Sequence, residues 1–87
     1  MEIIRFSALW CMSCLVMKSQ WNKVLKHYPD LVITDFDYDD QPLKVAQYKV
    51  GNILPVVIFE DDNKEVLRIT GEKSYNELIK IIGTLGL

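Results

Sequence analysis

One stretch near the start of the chain joins an apolar strand pattern to two closely spaced cysteines and then to a helical pattern. Residues 3–7 are rich in β-branched and aromatic side chains, which is typical of a short buried strand. Trp10, Cys11 and Cys14 follow, and the chain contains no other cysteine. We therefore interpret the stretch as a dithiol that a strand-to-helix connection presents at a helix N-terminus.

The next part of the chain predicts a helix and then a second strand. From Cys14, apolar residues recur at spacings of three and four, and Pro29 ends the pattern. Residues 31–33 with Phe36 predict a strand that is covered on both faces, because it is nearly continuous in apolar character. A run of aspartates forms an acidic edge beyond this strand: Asp35, Asp37, Asp39 and Asp40.

The second half of the chain predicts a short helix, a hairpin and a final helix. Pro42 fits the first helical position, with Gln41 or Asp40 as the cap and an end near Gly51. Residues 56–59 and 66–70 predict two strands joined by the polar connection 60–65. Ser74 and Glu77 form a capping box that opens the last helix.

This order of elements predicts an α/β fold of the form βαβ-α-ββα, with a four-stranded mixed sheet and three helices. The first two strands should be parallel, because a crossover helix joins them, and the last two should pair as an antiparallel hairpin. We expect residues 1–87 to form a single domain, since 87 residues suffice for one hydrophobic core.

The composition of the chain bears on whether it binds nucleic acids or membranes and on where in the cell it acts. With 49% hydrophobic residues, 25% charged residues and a net charge of -2, the chain is typical of a globular domain without a basic surface. Nucleic acids and membranes are therefore not expected partners, because both attract clustered Lys and Arg. No run of apolar residues is long enough to span a bilayer, and Arg5 interrupts the only N-terminal apolar segment. We expect a cytoplasmic protein.

The position of the cysteines predicts different roles for the two thiols. A helix N-terminus favours an anion, so Cys11 should be stabilised as an accessible thiolate that attacks a substrate disulfide. Cys14 lies one turn further along the same side of the helix, where it should be more buried. It can then attack the mixed disulfide and release the reduced product.

Two other interpretations of the cysteine pair are less favourable. A structural zinc site needs four ligands, and the chain offers no second cysteine pair and only one histidine, His27. A pair of inert buried thiols does not explain why both cysteines lie at a strand-to-helix junction directly after Trp10. We therefore expect no metal. Trp21 and Tyr28 are interpreted as core aromatic residues.

The chain resembles the thioredoxin family at three places. Residues 6–14, Phe-Ser-Ala-Leu-Trp-Cys-Met-Ser-Cys, are similar to the family's active-site segment Phe-x-Ala-x-Trp-Cys-Gly-Pro-Cys. Ile53-Leu54-Pro55 resembles the family's cis-proline loop, and Gly71 resembles the glycine that closes the central hairpin. The resemblance implies a minimal thioredoxin fold, a cis bond before Pro55 and a protein disulfide reductase that works in cell redox homeostasis and electron transport.

The resemblance also implies which residues and partners the reaction uses. Besides the two cysteines, the substrate groove would consist of Trp10, Met12, Ile53, Leu54 and Pro55. No cofactor beyond the dithiol is expected. The partners would be protein substrates with disulfides and an electron donor, either a reductase of the thioredoxin-reductase type or a low-molecular thiol. The protein should act as a monomer.

The chain departs from the family in ways that bear on its chemistry. The family's first strand and helix are absent, and Met12-Ser13 replaces Gly-Pro, which changes the reduction potential in a direction that the sequence does not fix. Arg5 stands where thioredoxins carry a buried Asp, and Asp35 stands where they carry a Lys. We hypothesise that Arg5 and Asp35 pair beneath the dithiol and tune its ionisation. Proton transfer to Cys14 would then fall to Asp35 or to water, since Arg5 is permanently protonated.

Two alternative functions remain open at this point. A glutaredoxin-like, glutathione-dependent reductase would carry a second glycine and an Asp after Gly71, and residues 72–75 contain neither. A thioredoxin-fold binding module would use the dithiol as a redox switch or a metal clip rather than for turnover.

Overall fold

The computed structural model describes residues 1–87 as seven helices and strands. In chain order these are β1 (Glu2–Ser7), α1 (Met12–His27), β2 (Ile33–Asp37), α2 (Pro42–Gln47), β3 (Val56–Asp61), β4 (Lys64–Thr70) and α3 (Tyr75–Thr84). The predicted order of elements and the predicted four-stranded mixed sheet with three helices are confirmed. None of the helices has the length and apolar character needed to cross a membrane.

The sheet has the strand order β2-β1-β3-β4. β1 runs parallel to β2, with Arg5 opposite Asp35, and antiparallel to β3, with Phe6 opposite Val56. β3 and β4 form an antiparallel hairpin. β1 is therefore a central strand, and its C-terminal end leads directly from the middle of the sheet into the cysteine segment.

Two hydrophobic clusters cover the two faces of the sheet. Alternate residues of β1 point to opposite faces, so Ile3 packs in one cluster and Phe6 in the other. The first cluster includes Trp21, which is fully buried, as predicted for a core aromatic residue. Burial of its apolar surface stabilises the fold by about 2–3 kcal/mol, and the buried indole N–H, which has no hydrogen-bond partner, offsets part of this gain. The second cluster contains both cysteines, so the dithiol is packed into the core at one end of the sheet.

The prediction for the second strand was wrong in its position and in its environment. β2 spans Ile33–Asp37 rather than residues 31–33 with Phe36, so it includes Phe36 as predicted but also contains Asp35 and Asp37. It is also an edge strand, with Thr34 and Asp35 exposed, so it is not covered on both faces. An edge strand tolerates charged side chains. In the loop before it, Leu31 packs against the first cluster, whereas Val32 is exposed.

Three other predicted boundaries differ by a few residues. α1 begins at Met12 rather than Cys14, because Cys11 already serves as its N-cap. The hairpin connection is shorter than residues 60–65, since Asp62 and Asn63 form a two-residue turn with positive φ angles of 52° and 64°. α2 ends at Gln47 rather than near Gly51, and its N-cap Gln41 makes no side-chain capping bond.

The predicted start of the last helix is confirmed. Ser74 is the N-cap of α3, and its Oγ accepts a hydrogen bond from the backbone N–H of Glu77 at 3.2 Å. The Glu77 carboxylate lies 3.3 Å from the same hydroxyl, so the two side chains meet at the first turn.

Candidate active site

A tight turn after β1 places Cys11 at the start of α1. The backbone N–H of Cys11 donates to the carbonyl oxygen of Ala8 at 3.1 Å, which closes the turn. Cys11 itself has an extended backbone, with φ of -95° and ψ of 107°, and it is the N-cap residue of the helix. The side chain of an N-cap residue faces the unpaired N–H groups of the first turn. The local fold therefore directs the Cys11 sulfur at these donors.

The electrostatics of this helix end favour a negative charge on the Cys11 sulfur. Its Sγ accepts a hydrogen bond from the backbone N–H of Cys14 at 3.1 Å. The first turn of α1 contains no acidic residue, so no carboxylate in that turn offsets the positive end of the helix dipole. Lys26 and His27 lie in the last turn, at the negative end of the dipole. These features together stabilise a thiolate at Cys11 relative to a thiol in water.

Cys11 and Cys14 are joined as a disulfide, with their Cα atoms 5.2 Å apart. The expectation that Cys11 would be accessible was wrong for this disulfide state, whereas Cys14 is the more buried residue, as expected, but only by a small margin. Cys11 is 7% exposed and Cys14 is 5% exposed. Both belong to the second hydrophobic cluster, together with Ala8 and Leu54. The helix N-cap, rather than exposure, distinguishes the two residues.

The loop before β3 supplies a second side of the site. The Leu54–Pro55 peptide bond is cis, and the carbonyl oxygen of Pro55 accepts a hydrogen bond from the N–H of Gly71 at 2.9 Å. Leu54 is buried in the cluster that contains both cysteines, whereas Ile53 is exposed. The structure therefore brings Leu54 and Pro55 to the dithiol and leaves the Ile53 side chain on the surface.

Trp10 and Met12 present exposed apolar surface on either side of Cys11. The Trp10 indole is held in place, since its Nε1 donates to Asp39 Oδ2 at 2.8 Å and its ring meets Tyr38 edge to face at 6.3 Å. The N–H of Tyr38 donates to the carbonyl oxygen of Ser7, which fixes the loop after β2 beside the end of β1.

Asp39 is a residue of this site that the sequence analysis did not identify. The sequence contained part of the information needed to find it. An indole N–H usually has a hydrogen-bond acceptor, and the ends of the parallel strands before Trp10 and Asp39 meet at one edge of the sheet. The aspartate run after β2 was therefore the place to look for a partner of Trp10.

The hypothesised pair between Arg5 and Asp35 is confirmed. Arg5 Nε lies 2.6 Å from Asp35 Oδ1, and Nη2 lies 2.8 Å from Oδ2, which is a bidentate arrangement. The Arg5 side chain is 15% exposed and that of Asp35 is 54% exposed. Both residues line a cavity that Cys14 and Pro55 also line, so the ion pair lies beside the dithiol. The structure contains no group of three or more His, Cys, Asp or Glu side chains that could hold a metal ion.

Comparisons with known proteins agree with this geometry. The family model described as Thioredoxin matches residues 1–84. A thioredoxin from Chlamydia trachomatis is 34% identical over 80 residues, which cover 92% of this chain and 78% of the chlamydial protein. Thioredoxin H5 from rice is 33% identical over 69 residues, and the match spans 79% of this chain but only half of the rice protein.

Solved structures show the same similarity. Thioredoxin 1 from Thermosipho africanus superposes with a TM-score of 0.83 at 28% identity, covering 98% of this chain and 93% of that one. Fasciola hepatica thioredoxin gives a TM-score of 0.83 at 27% identity, covering 94% of this chain and 77% of that one. The chain therefore belongs to the thioredoxin family of thiol–disulfide oxidoreductases.

Proposed function

We propose that this protein reduces disulfides in protein substrates through Cys11 and Cys14. The observation that carries the proposal is the position of the Cys11 sulfur, which caps α1 and accepts the N–H of Cys14 at 3.1 Å. A sulfur in this position is suited both to attack as a thiolate and to leave as one. The proposed reaction needs no cofactor beyond the dithiol.

The reaction consists of two exchange steps that move two electrons to the substrate. The Cys11 thiolate attacks one sulfur of the substrate disulfide, forms a mixed disulfide and releases the first substrate thiolate. The Cys14 thiolate then attacks the Cys11 sulfur, forms the Cys11–Cys14 disulfide and releases the second substrate thiolate. A thioredoxin-reductase-type enzyme or a low-molecular thiol donates two electrons to restore the dithiol.

The substrate would bind across Trp10, Met12 and the loop of Ile53, Leu54 and Pro55. An extended substrate segment can form strand-like hydrogen bonds with the backbone at Leu54. The exposed apolar side chains of Trp10, Met12 and Ile53 support this assignment, because they present apolar contact area to solvent around the dithiol.

Arg5 and Asp35 would tune the ionisation of the dithiol. Both side chains line the same cavity as Cys14, which supports an electrostatic influence of the pair on the second thiol. Arg5 cannot accept a proton, so proton transfer to or from Cys14 would use Asp35 or water.

The proposed setting is a reducing compartment such as the cytoplasm, where a two-electron donor keeps the dithiol reduced. We further propose that residues 1–87 act as a single domain and as a monomer. Two hydrophobic clusters that share the same sheet support the single domain.

An insulin-reduction assay with dithiothreitol tests the proposal. The wild-type protein should accelerate reduction, and Cys11→Ser should show only the dithiothreitol background. Ser13→Ala is a matched control between the cysteines and should retain turnover. A measured reduction potential for the Cys11–Cys14 pair shows that the dithiol is intact. A functional dithiol without turnover would contradict the proposed reductase and indicate a binding module.

A further inference from the structure

A cavity of about 360 Å³ opens beside the dithiol, between α1 and the ends of β1 and β2. Cys14 and Pro55 are among the residues that line it. Leu9, in the turn before α1, and Leu15, in the first turn of α1, line it as well. Its volume lies at the lower end of the range for small-molecule sites, so it has room for a single large side chain. The cavity borders the proposed substrate site, because Pro55 belongs to both and Cys14 of the dithiol also lines the cavity.

Three of the four charged side chains around the cavity form hydrogen bonds within the protein, although Arg5 Nη1 is buried without a partner. Arg5 is paired with Asp35 through two hydrogen bonds. Asp37 Oδ1 accepts the backbone N–H groups of Asp39 and Asp40, and Lys18 is exposed. The formal charges of the four charged residues that line the cavity cancel: Arg5, Lys18, Asp35 and Asp37. An uncharged occupant is therefore favoured over an anion or a cation.

The rim of the cavity is unusually apolar for an exposed surface. Leu9 is 89% exposed and Leu15 is 54% exposed, although both are large aliphatic residues. Leu9 directly precedes the exposed Trp10, and Leu15 lies three residues after the exposed Met12 in α1, which places Met12 and Leu15 on the same side of the helix. A contiguous exposed apolar surface that borders a reactive group is typical of a site that contacts a partner.

We propose that this cavity is a specificity pocket that accepts one large apolar side chain of the substrate protein close to its disulfide, with Leu9 and Leu15 as the specificity-determining residues. The inference rests on the proposed reductase function and narrows its substrates to disulfides that have a bulky aliphatic or aromatic residue nearby. Burial of that side chain between Leu9 and Leu15 stabilises the complex in which Cys11 attacks. Substrates without such a residue react through Cys11 but lack this contribution.

Single-turnover kinetics with matched peptide disulfides test the pocket. The pre-reduced protein is mixed with symmetrical peptide disulfides that carry one Phe at successive positions around the cysteine, or Ser at all of them. We expect at least one Phe position to react about tenfold faster than the all-Ser peptide, which is a typical effect of filling an apolar pocket. The double variant Leu9→Ser/Leu15→Ser should lose this advantage, and Leu15→Met should keep it.

Two controls separate the pocket from the chemistry. Val32→Ser changes an exposed apolar residue at the opposite end of β1 and should retain the Phe preference. The small disulfide of 2-hydroxyethanethiol, which cannot fill the cavity, should react at the wild-type rate with every variant. Equal rates for Phe and Ser peptides, or a preference that survives in the double variant, would overturn the pocket alone. A wild-type protein that does not reduce the small disulfide would overturn the reductase function and the pocket with it.

Discussion

Arg5 and Asp35 lie opposite each other on the parallel strands β1 and β2, and two hydrogen bonds of 2.6 and 2.8 Å join their side chains. The pair lines the cavity that Cys14 also lines. The Arg5 side chain is mostly buried, so its charge depends on Asp35 for compensation.

Replacing Asp35 should destabilise the fold by leaving this charge without its partner. We expect Asp35→Asn to lower the free energy of unfolding by about 1–2 kcal/mol, measured by urea denaturation. The double variant Arg5→Met/Asp35→Asn should be more stable than Asp35→Asn alone, because it removes the buried charge together with its partner.

Asp30→Asn is the matched control for this pair, since Asp30 is exposed and forms no ion pair in the structure. It should leave the free energy of unfolding unchanged. If Asp35→Asn also left the free energy of unfolding unchanged, Asp35 would not compensate the charge of Arg5.

Removal of the Asp39 carboxylate should release the Trp10 indole. Asp39→Ala is expected to lower the rate constant for insulin reduction by about threefold to tenfold, because a hydrogen bond of this kind contributes about 0.5–1.5 kcal/mol. The emission spectrum of Trp10 should change at the same time, while the fully buried Trp21 should not contribute to the change.

Asp40→Ala provides the comparison for Trp10, because the Asp40 side chain accepts no hydrogen bond in the structure. It should keep the wild-type rate and spectrum. If Asp39→Ala and Asp40→Ala reduced insulin at equal rates, the hydrogen bond from Trp10 to Asp39 would not contribute to the reaction.

The pair of Glu65 and Arg68 predicts a pH dependence of stability away from the dithiol. Arg68 donates hydrogen bonds to both Glu65 oxygens, at 2.7 and 3.0 Å, which lowers the pKa of Glu65 below its ordinary value. A lowered pKa in the folded state stabilises the protein above the pKa of the unfolded state. This contribution is lost as the pH falls through the folded-state pKa.

Glu65→Gln should therefore lose less stability than the wild type on acidification, and it should be less stable by about 0.5 kcal/mol at neutral pH. Urea denaturation at several pH values measures both effects. Glu72→Gln, at an exposed residue without an ion pair, should follow the wild-type pH profile. A Glu65→Gln profile that coincides with the wild type would contradict the account.

Much of the fold was predictable because local patterns and tertiary structure agree. Ser74 was predicted to cap the last helix, and residues 56–59 and 66–70 were predicted to form a hairpin. The structure confirms both predictions. The pairing of Arg5 with Asp35 was predicted from the resemblance to thioredoxins rather than from register, and the parallel alignment of β1 with β2 places the two residues side by side.

Other features depend on packing that no local pattern reveals. β2 includes Asp35 and Asp37 because it lies at the sheet edge, and strand order is a property of the whole fold. The burial of Cys11 depends on Leu54, which approaches it from a distant part of the chain. The cavity between Leu9 and Leu15 likewise exists only once α1 is packed against the ends of β1 and β2.

The most direct test of the central claim is to trap the mixed disulfide that the two exchange steps share. Reduced Cys14→Ser is mixed with a peptide disulfide, and the product is identified by mass spectrometry after alkylation of free thiols. The account predicts a stable adduct of one peptide on Cys11, and much slower adduct formation on Cys14 in the matched variant Cys11→Ser. Faster adduct formation on Cys14 than on Cys11 would contradict the assignment of Cys11 as the attacking thiol.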